Sequence, residues 1–220
     1  DKTAIFEFDL NKSKEGRLIF EHDEVDVNGL MYSRNRKVLT GVNYTVAKNE
    51  IIFFDTLRGD IQQKLEEKLL GYEVGITSFS KDETKAVVVA YSDKSRGTYY
   101  YYDVDKNKLT ELGNVSPWLN EEYMSEMKPI NYVSRDGLII NGYLTLPKGT
   151  SGKNLPVVVN PHGGPWHRDT WGYNSEIQFL ASRGFAVFQM NFRGSTGYGR
   201  DFWEKSFKQW GKSMQDDISD

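Results

Sequence analysis

Two apolar runs, each closed by a glycine-rich turn, limit what this chain can fold into. Residues 155–160 (LPVVVN) pass into Pro161-His162-Gly163-Gly164-Pro165-Trp166. Residues 185–190 (FAVFQM) pass into Asn191-Phe192-Arg193-Gly194-Ser195-Thr196-Gly197-Tyr198-Gly199. Short continuous apolar runs without alternation predict strands buried on both faces. Between them, residues 171–183 carry Ile177, Phe179, Leu180 and Ala181, which predicts a helix closed by Gly184. Strand, helix, strand with short loops is the order of a mostly parallel α/β sheet. Residues 198–210 read as partly helical, with Phe202, Trp203, Phe207 and Trp210 near one side, and 214–220 as a further helix. Upstream, 130–134 and 138–146 flank Arg135-Asp136-Gly137, and Asp-Gly is a strong hairpin turn.

The first 115 residues follow another rule. Short alternating or aromatic strands are expected at 4–10, 18–21, 29–33, 38–44, 50–55, 75–80, 86–91, 98–103 and 108–112, separated by turn residues. Ile51–Asp55 and Tyr99–Asp103 echo each other, each strand ending in Asp, at a spacing of about 45–50 residues that suits four-stranded propeller blades. About two blades would fit, with a small antiparallel sheet or sandwich as the plainer alternative. One helix interrupts them at 60–70, with Ile61, Leu65 and Leu69 on one stripe, Asp60 as its N-cap and Gly71 as its stop. Residues 116–128 read as a linker, in which Glu121, Glu122 and Glu126 suggest a short surface helix. The expectation is therefore a mixed fold: a partial all-β propeller at 1–115, the linker, and the N-terminal part of an α/β domain at 129–220.

Composition removes several function classes. The net charge of −3 gives no electrostatic footprint for nucleic acid. With no cysteine, disulfides, thiolate nucleophiles and cysteine metal sites are excluded. No apolar run approaches the roughly 18–20 residues that cross a bilayer, so no membrane partner is expected. A soluble protein of the cytoplasm or the periplasm remains open.

The chemistry lies in the turns. Glycines directly after a buried strand let the backbone turn sharply and leave N–H groups free. Such groups can stabilise the alkoxide that forms in acyl transfer. A His-Gly-Gly loop after the third strand is where α/β hydrolases place one oxyanion donor, and residues 155–160 are third when the hairpin counts as two. Together, Pro161–Pro165, Phe179–Val187 and Asn191–Gly199 resemble the prolyl oligopeptidase family of serine peptidases, in its dipeptidyl-peptidase and acylaminoacyl-peptidase branch. Tyr132–Gly137 and Gly142-Tyr143-Leu144 match that family's entry into its hydrolase domain.

The resemblance is specific over 129–220 and compatible over 1–115. It implies a β-propeller joined to a C-terminal α/β-hydrolase domain, a peptide substrate and no cofactor. Gly164, or its neighbour Gly163, would donate a backbone N–H to the oxyanion. His162 stands where some relatives carry a tyrosine donor, so it is read as part of the site wall rather than a general base. Arg193 is also assigned to the wall, in an architectural role. The family's Ser, Asp and His triad lies later in the chain, so no triad member is expected among these residues, and the chain alone is expected to be inactive. Unpaired strand edges would then be covered by further chain or by a second copy, as in a homo-oligomer.

Other candidates carry less. Gly211-Lys212-Ser213-Met214-Gln215 lacks the last glycine of a nucleophile elbow, and Ser195 has no histidine placed by any motif. His162 and His167 lack a third ligand for zinc, so no metal is expected. The 194–199 turn lacks the Lys-Ser/Thr of a P-loop. Glu21, Asp23, Glu24 and Asp26 read as a solvated loop. Asn43-Tyr44-Thr45 is a glycosylation sequon that matters only in a secreted protein. An esterase on the same scaffold and a non-catalytic binding module are the competing functions.

Overall fold

A computed structural model describes all 220 residues. The chain opens with a hairpin of β1 (Ile5–Asp9) and β2 (Lys14–Phe20). A three-stranded antiparallel sheet follows, β3 (Val27–Ser33), β4 (Val38–Thr45) and β5 (Asn49–Phe53), then helix α1 (Thr56–Lys68). Next comes a four-stranded antiparallel meander, β6 (Glu73–Phe79), β7 (Lys85–Tyr91), β8 (Thr98–Asp103) and β9 (Lys108–Asn114). The meander is one complete propeller blade, while the three-stranded sheet and the hairpin are partial ones.

The blade owes its core to alternation. Ala86, Val88 and Ala90 of β7 point to one face, where they meet Val74, Tyr102 and the Ile61, Leu65 and Leu69 stripe of α1. The helix starts a turn earlier than its apolar stripe indicates. Its N-cap is Asp55, not Asp60, and the Asp55 carboxylate accepts from the Arg58 N–H at 3.3 Å. Asp55, read as the end of a strand, also pairs with Arg36, whose Nε lies 3.1 Å from Glu83; Glu83 in turn binds Arg58 Nη2 at 2.7 Å. This network joins the β3–β4 turn, the start of α1 and the β6–β7 turn. The Arg36 hydrogen bond holds the Asp55 carboxyl below its usual pKa. We expect Asp55→Ala to cost about 1–2 kcal/mol near neutral pH, the upper range for a lost cap. A carboxyl whose folded pKa is depressed stabilises above its unfolded value and loses that contribution as pH falls through the folded one. The gap between variant and wild type should therefore shrink below pH ~4, as urea titrations at pH 7 and pH 3 would show.

The second half forms a four-stranded sheet in the order β10-β11-β13-β12. Strands β10 (Met127–Val133) and β11 (Ile139–Thr145) make the expected hairpin. Strand β13 (Ala186–Asn191) pairs antiparallel with β11 and parallel with β12 (Val157–Val159), so the sheet is mixed. Strand β13 is buried at nearly every position, as its apolar run predicts. Strand β12 departs from expectation. It spans three residues at the sheet edge, with Val157 58% and Val159 45% exposed. It has one neighbour; the face that carries Val157 and Val159 is exposed, and Val158 on the other face is half-buried.

Two helices of this half are shorter than the sequence suggests. Helix α2 (Ser175–Ser182) begins only where Asn174 accepts from the Glu176 and Ile177 N–H groups, so 171–173 are not helical. Residues 198–210 yield just α3 (Arg200–Glu204), and α4 (Ser213–Ser219) closes the chain. The aromatic residues near α3 do not share one side. Phe202 packs on Tyr198 at 5.1 Å between ring centres, whereas Trp203 and Phe207 surround Trp166. The helix expected around Glu121 is a single 3-10 turn, Glu121–Tyr123.

The two halves interlock. Val25 and Tyr44 pack with Tyr198. The Tyr143 hydroxyl donates to the Ala47 carbonyl at 2.7 Å, and Arg168 Nη2 to the Val46 carbonyl at 2.6 Å. The acidic stretch at 21–26 is not simply solvated. Val25 is buried, and the Asp26 carboxylate accepts from Thr3 N–H at 2.6 Å and Gly199 N–H at 3.0 Å. No helix is long and apolar enough to cross a membrane.

Candidate active site

The two glycine-rich loops leave the same end of the parallel pair β12–β13 and lie against each other. Asn191, fully buried at the end of β13, holds them in place. Its Oδ1 accepts from Asp169 N–H at 2.8 Å, and its Nδ2 donates to the Asp169 carbonyl at 3.1 Å and to the Tyr198 hydroxyl at 2.9 Å. The Thr196 N–H donates to the His167 carbonyl at 3.0 Å. Arg168 stacks its guanidinium over the Tyr198 ring at 4.1 Å. Gly194 permits a close approach: its φ is +97°, and a Cβ there would lie 2.5 Å from Ser206 Cβ.

His162, Gly164, Pro165, Phe192, Met214, Gln215 and their neighbours line an open cleft of about 320 Å³. The N–H groups of Gly163 and Gly164 have no hydrogen-bond partner within the chain. Gly164 has φ +141°, and a Cβ on it would come within 2.8 Å of the Trp166 nitrogen. At Gly163 the same construction meets nothing within 4 Å, so that side of the loop faces open space.

His162 is half-buried, its ring stacked on Phe192 with centroids 4.5 Å apart and planes at 18°. Nδ1 lies 2.9 Å from the Gly163 carbonyl oxygen and Nε2 lies 2.8 Å from Ser195 Oγ. Burial pushes its pKa below the usual imidazole value, and nearby His167 adds to this; the Gly163 carbonyl and Asp169 pull the other way. Asp169 is half-buried, burial pushes its carboxyl pKa up, and its Oδ2 has no partner. The expectation that Ser195 has no histidine partner is corrected. The two residues stand 33 apart in sequence, and only the pairing of β12 with β13 brings them together. His162 and His167 meet edge to face at 5.7 Å.

Arg193 is not on the cleft wall. Its guanidinium is buried and bonded to two carboxylates: Asp217 of α4, through Nε at 2.8 Å and Nη2 at 2.7 Å, and Asp136 of the β10–β11 turn, through Nη1 at 2.8 Å and Nη2 at 2.9 Å. Its backbone N–H also donates to Asp217 at 2.9 Å. The residue thus supports the cleft from behind, by fixing α4, which carries Met214, Gln215 and Ile218 to the rim. Ser213 opens α4 and donates to Gln209, in a helical setting unlike a strand-to-helix elbow. The sequence marked Asn191 only as part of its motif, with no role, and did not mark Arg168 or Asp169, because each acts through a partner in a distant loop.

Propeller blades followed by a mixed sheet with a His-Gly-Gly loop at its parallel edge define a piece of a propeller-bearing α/β hydrolase. The model of the prolyl oligopeptidase family matches residues 171–220. The chain is 34% identical over 226 residues to dipeptidyl aminopeptidase BIII of Pseudoxanthomonas mexicana, covering 99% of this chain and 32% of that protein. It is 26% identical over 240 residues to dipeptidyl peptidase family member 6 of Caenorhabditis elegans, again covering 99% and 32%. A solved prolyl endopeptidase superposes with a TM-score of 0.72 over 98% of this chain and 32% of that one, at 18% identity, a likeness of fold. These likenesses point to the prolyl oligopeptidase family. The chain spans about a third of the length of the curated relatives it matches.

Proposed function

We propose that the whole protein is a serine peptidase that cleaves short peptides through an acyl-enzyme, and that these residues supply its oxyanion loop and part of its propeller. One observation carries this reading: the N–H groups of Gly163 and Gly164 have no partner within the chain, in a loop that follows a parallel strand pair and whose Gly164 lines an open cleft. A nucleophilic serine attacking a peptide carbonyl would place the developing oxyanion against these donors, where fixed dipoles lower the barrier. The triad would come from outside these 220 residues. Residues 1–115 would be propeller, 116–128 linker and 129–220 the start of the hydrolase domain, with Met127 and Lys128 already in β10. The exposed edge of β12 would be covered by further sheet or by a second copy.

A fluorophosphonate probe, which labels activated serines, tests the proposal. We expect labelling of the whole protein, hydrolysis of dipeptidyl or acylaminoacyl amides by it, and no labelling of the 220-residue chain. An unlabelled whole protein would favour a binding module on a hydrolase scaffold. Hydrolysis of esters alone would favour an esterase.

A further inference from the structure

We propose that a pocket at the far end of the β-sheets of the first half binds oxoanions: free phosphate or the carboxylates of an acidic peptide. The site lies apart from the cleft and does not depend on the peptidase reading. The hydrolase half meets these sheets at the β4–β5 and β7–β8 connections. Tyr143 and Arg168 bond to Ala47 and Val46 there, and Gln178 Nε2 donates to the Asp93 carbonyl at 2.9 Å. The pocket is built at the opposite end, from the β3–β4 turn, the first turn of α1 and the β6–β7 turn. Strand β4 separates the two ends, and its 8 residues span roughly 26 Å at ~3.3 Å each.

The pocket holds about 820 Å³, and Arg34, Asn35, Arg58, Ser78, Lys81 and Glu83 are among its lining residues. Three cations thus share it with one carboxylate, in a chain whose net charge is −3. That carboxylate is already engaged. Glu83 Oε1 accepts from Ser33 Oγ and from Arg58 Nη2, each at 2.7 Å, and Oε2 accepts from Arg36 Nε at 3.1 Å. Asp55, the other acid of this network, is held by Arg36 and the Arg58 N–H. Asp82, nearby in the β6–β7 turn, accepts from Ser80 Oγ at 2.6 Å and Thr84 N–H at 3.2 Å. The network therefore balances Arg36 and Arg58 against Asp55 and Glu83, while Arg34 and Lys81 stay exposed outside it. Even within the network acceptors run short: Arg36 Nη2 and Arg58 Nη1 are buried and have no partner. Arg58 is 5% exposed, and its guanidinium carbon lies 3.4 Å from the centre of the Phe79 ring. A cation clamped in this way loses no freedom when an anion arrives, and its field acts through a poorly solvated wall. A bound oxoanion would take charge-assisted bonds from Arg34 and Lys81, with Arg58 behind them and Asn35 and Ser78 as neutral donors.

The test is calorimetry on the whole protein at low salt, with inorganic phosphate and a glutamate-rich peptide as probes. We expect binding, and we expect Arg34→Gln combined with Lys81→Gln to weaken it about 10-fold. Raising the salt from ~0.05 to ~0.5 M should weaken it too, because the Debye length shrinks. Both side chains are exposed and remote from the cleft, so the double variant should keep the wild-type melting temperature and its turnover of a neutral dipeptidyl amide. If the KM for acidic peptides rises about 10-fold in the double variant, peptide carboxylates are the ligand. If that KM is unchanged while phosphate binding weakens, the ligand is free phosphate. Failure of both probes to bind at about 10 mM, or equal binding by the double variant, would overturn the site. A whole protein that turns over no peptide would overturn the peptidase reading instead, and calorimetry would still decide the site.

Discussion

Replacing Arg193 with alanine is expected to cost about 3–5 kcal/mol of folding stability, the range for removing one partner of a buried ion pair. The penalty arises less from the lost attraction than from what remains. Asp217 is fully buried, and three of its contacts come from Arg193, two from the guanidinium and one from the backbone N–H. The alanine variant keeps only the last. Urea unfolding of the variant checks this, and a loss below about 1 kcal/mol would show that the pair is effectively solvated. Removing both charges together, as Arg193→Met with Asp217→Leu, should recover much of the loss, because apolar residues of similar volume need no partner. Acid sharpens the contrast. The Arg193 guanidinium, aided by the Ser134 hydroxyl, holds the Asp136 carboxyl well below the usual carboxylate range. Its stabilisation is complete above the unfolded pKa of ~4 and is lost as pH falls toward the folded value, so the wild type should lose stability more steeply below pH ~4 than Arg193→Ala does.

The second large effect is expected at Gly164. An alanine there must leave the backbone conformation that glycine holds at φ +141°, or push its methyl group into the Trp166 nitrogen. Either way the Gly164 N–H loses its aim. In the whole enzyme we expect kcat to fall about 10²–10³-fold, as for removal of an oxyanion-hole donor. The loop is exposed and carries little of the core, so the melting temperature should hardly move. A variant that retains activity would place the oxyanion donor elsewhere.

How much of this was legible in the sequence depends on whether the cause was local. The hairpin at Asp136-Gly137, the buried run of β13 and the alternation of β7 are patterns of neighbouring residues, and each appears where the pattern places it. The start of α1 was missed because its first turn, Thr56-Leu57-Arg58-Gly59, has no apolar period; a cap at Asp55, anchored by a distant arginine, sets the boundary instead. Burial of β12 was overestimated because an apolar run reports what a strand can be covered by, not which neighbours are present. Arg193 was assigned to the cleft because its turn is there, although its side chain points the other way to carboxylates 57 and 24 residues distant. The Ser195–His162 contact follows only from the register of two strands.

The sheet order also has a consequence for the route by which the chain reaches this state. Val133 and Ile139 adjoin one tight turn, so the β10–β11 hairpin can close early at small entropic cost. Asn141 must wait for Asn191, and Val157 for Ala186, with the α2 crossover laid down between them. Non-local pairings of this kind, the parallel one above all, are reached late in folding. The loop at Gly163-Gly164 hangs from the last of these pairings, so it should acquire its shape after the rest of the sheet. Pulse-labelled amide exchange, with protection of Val158 lagging that of Ile140, would show that order.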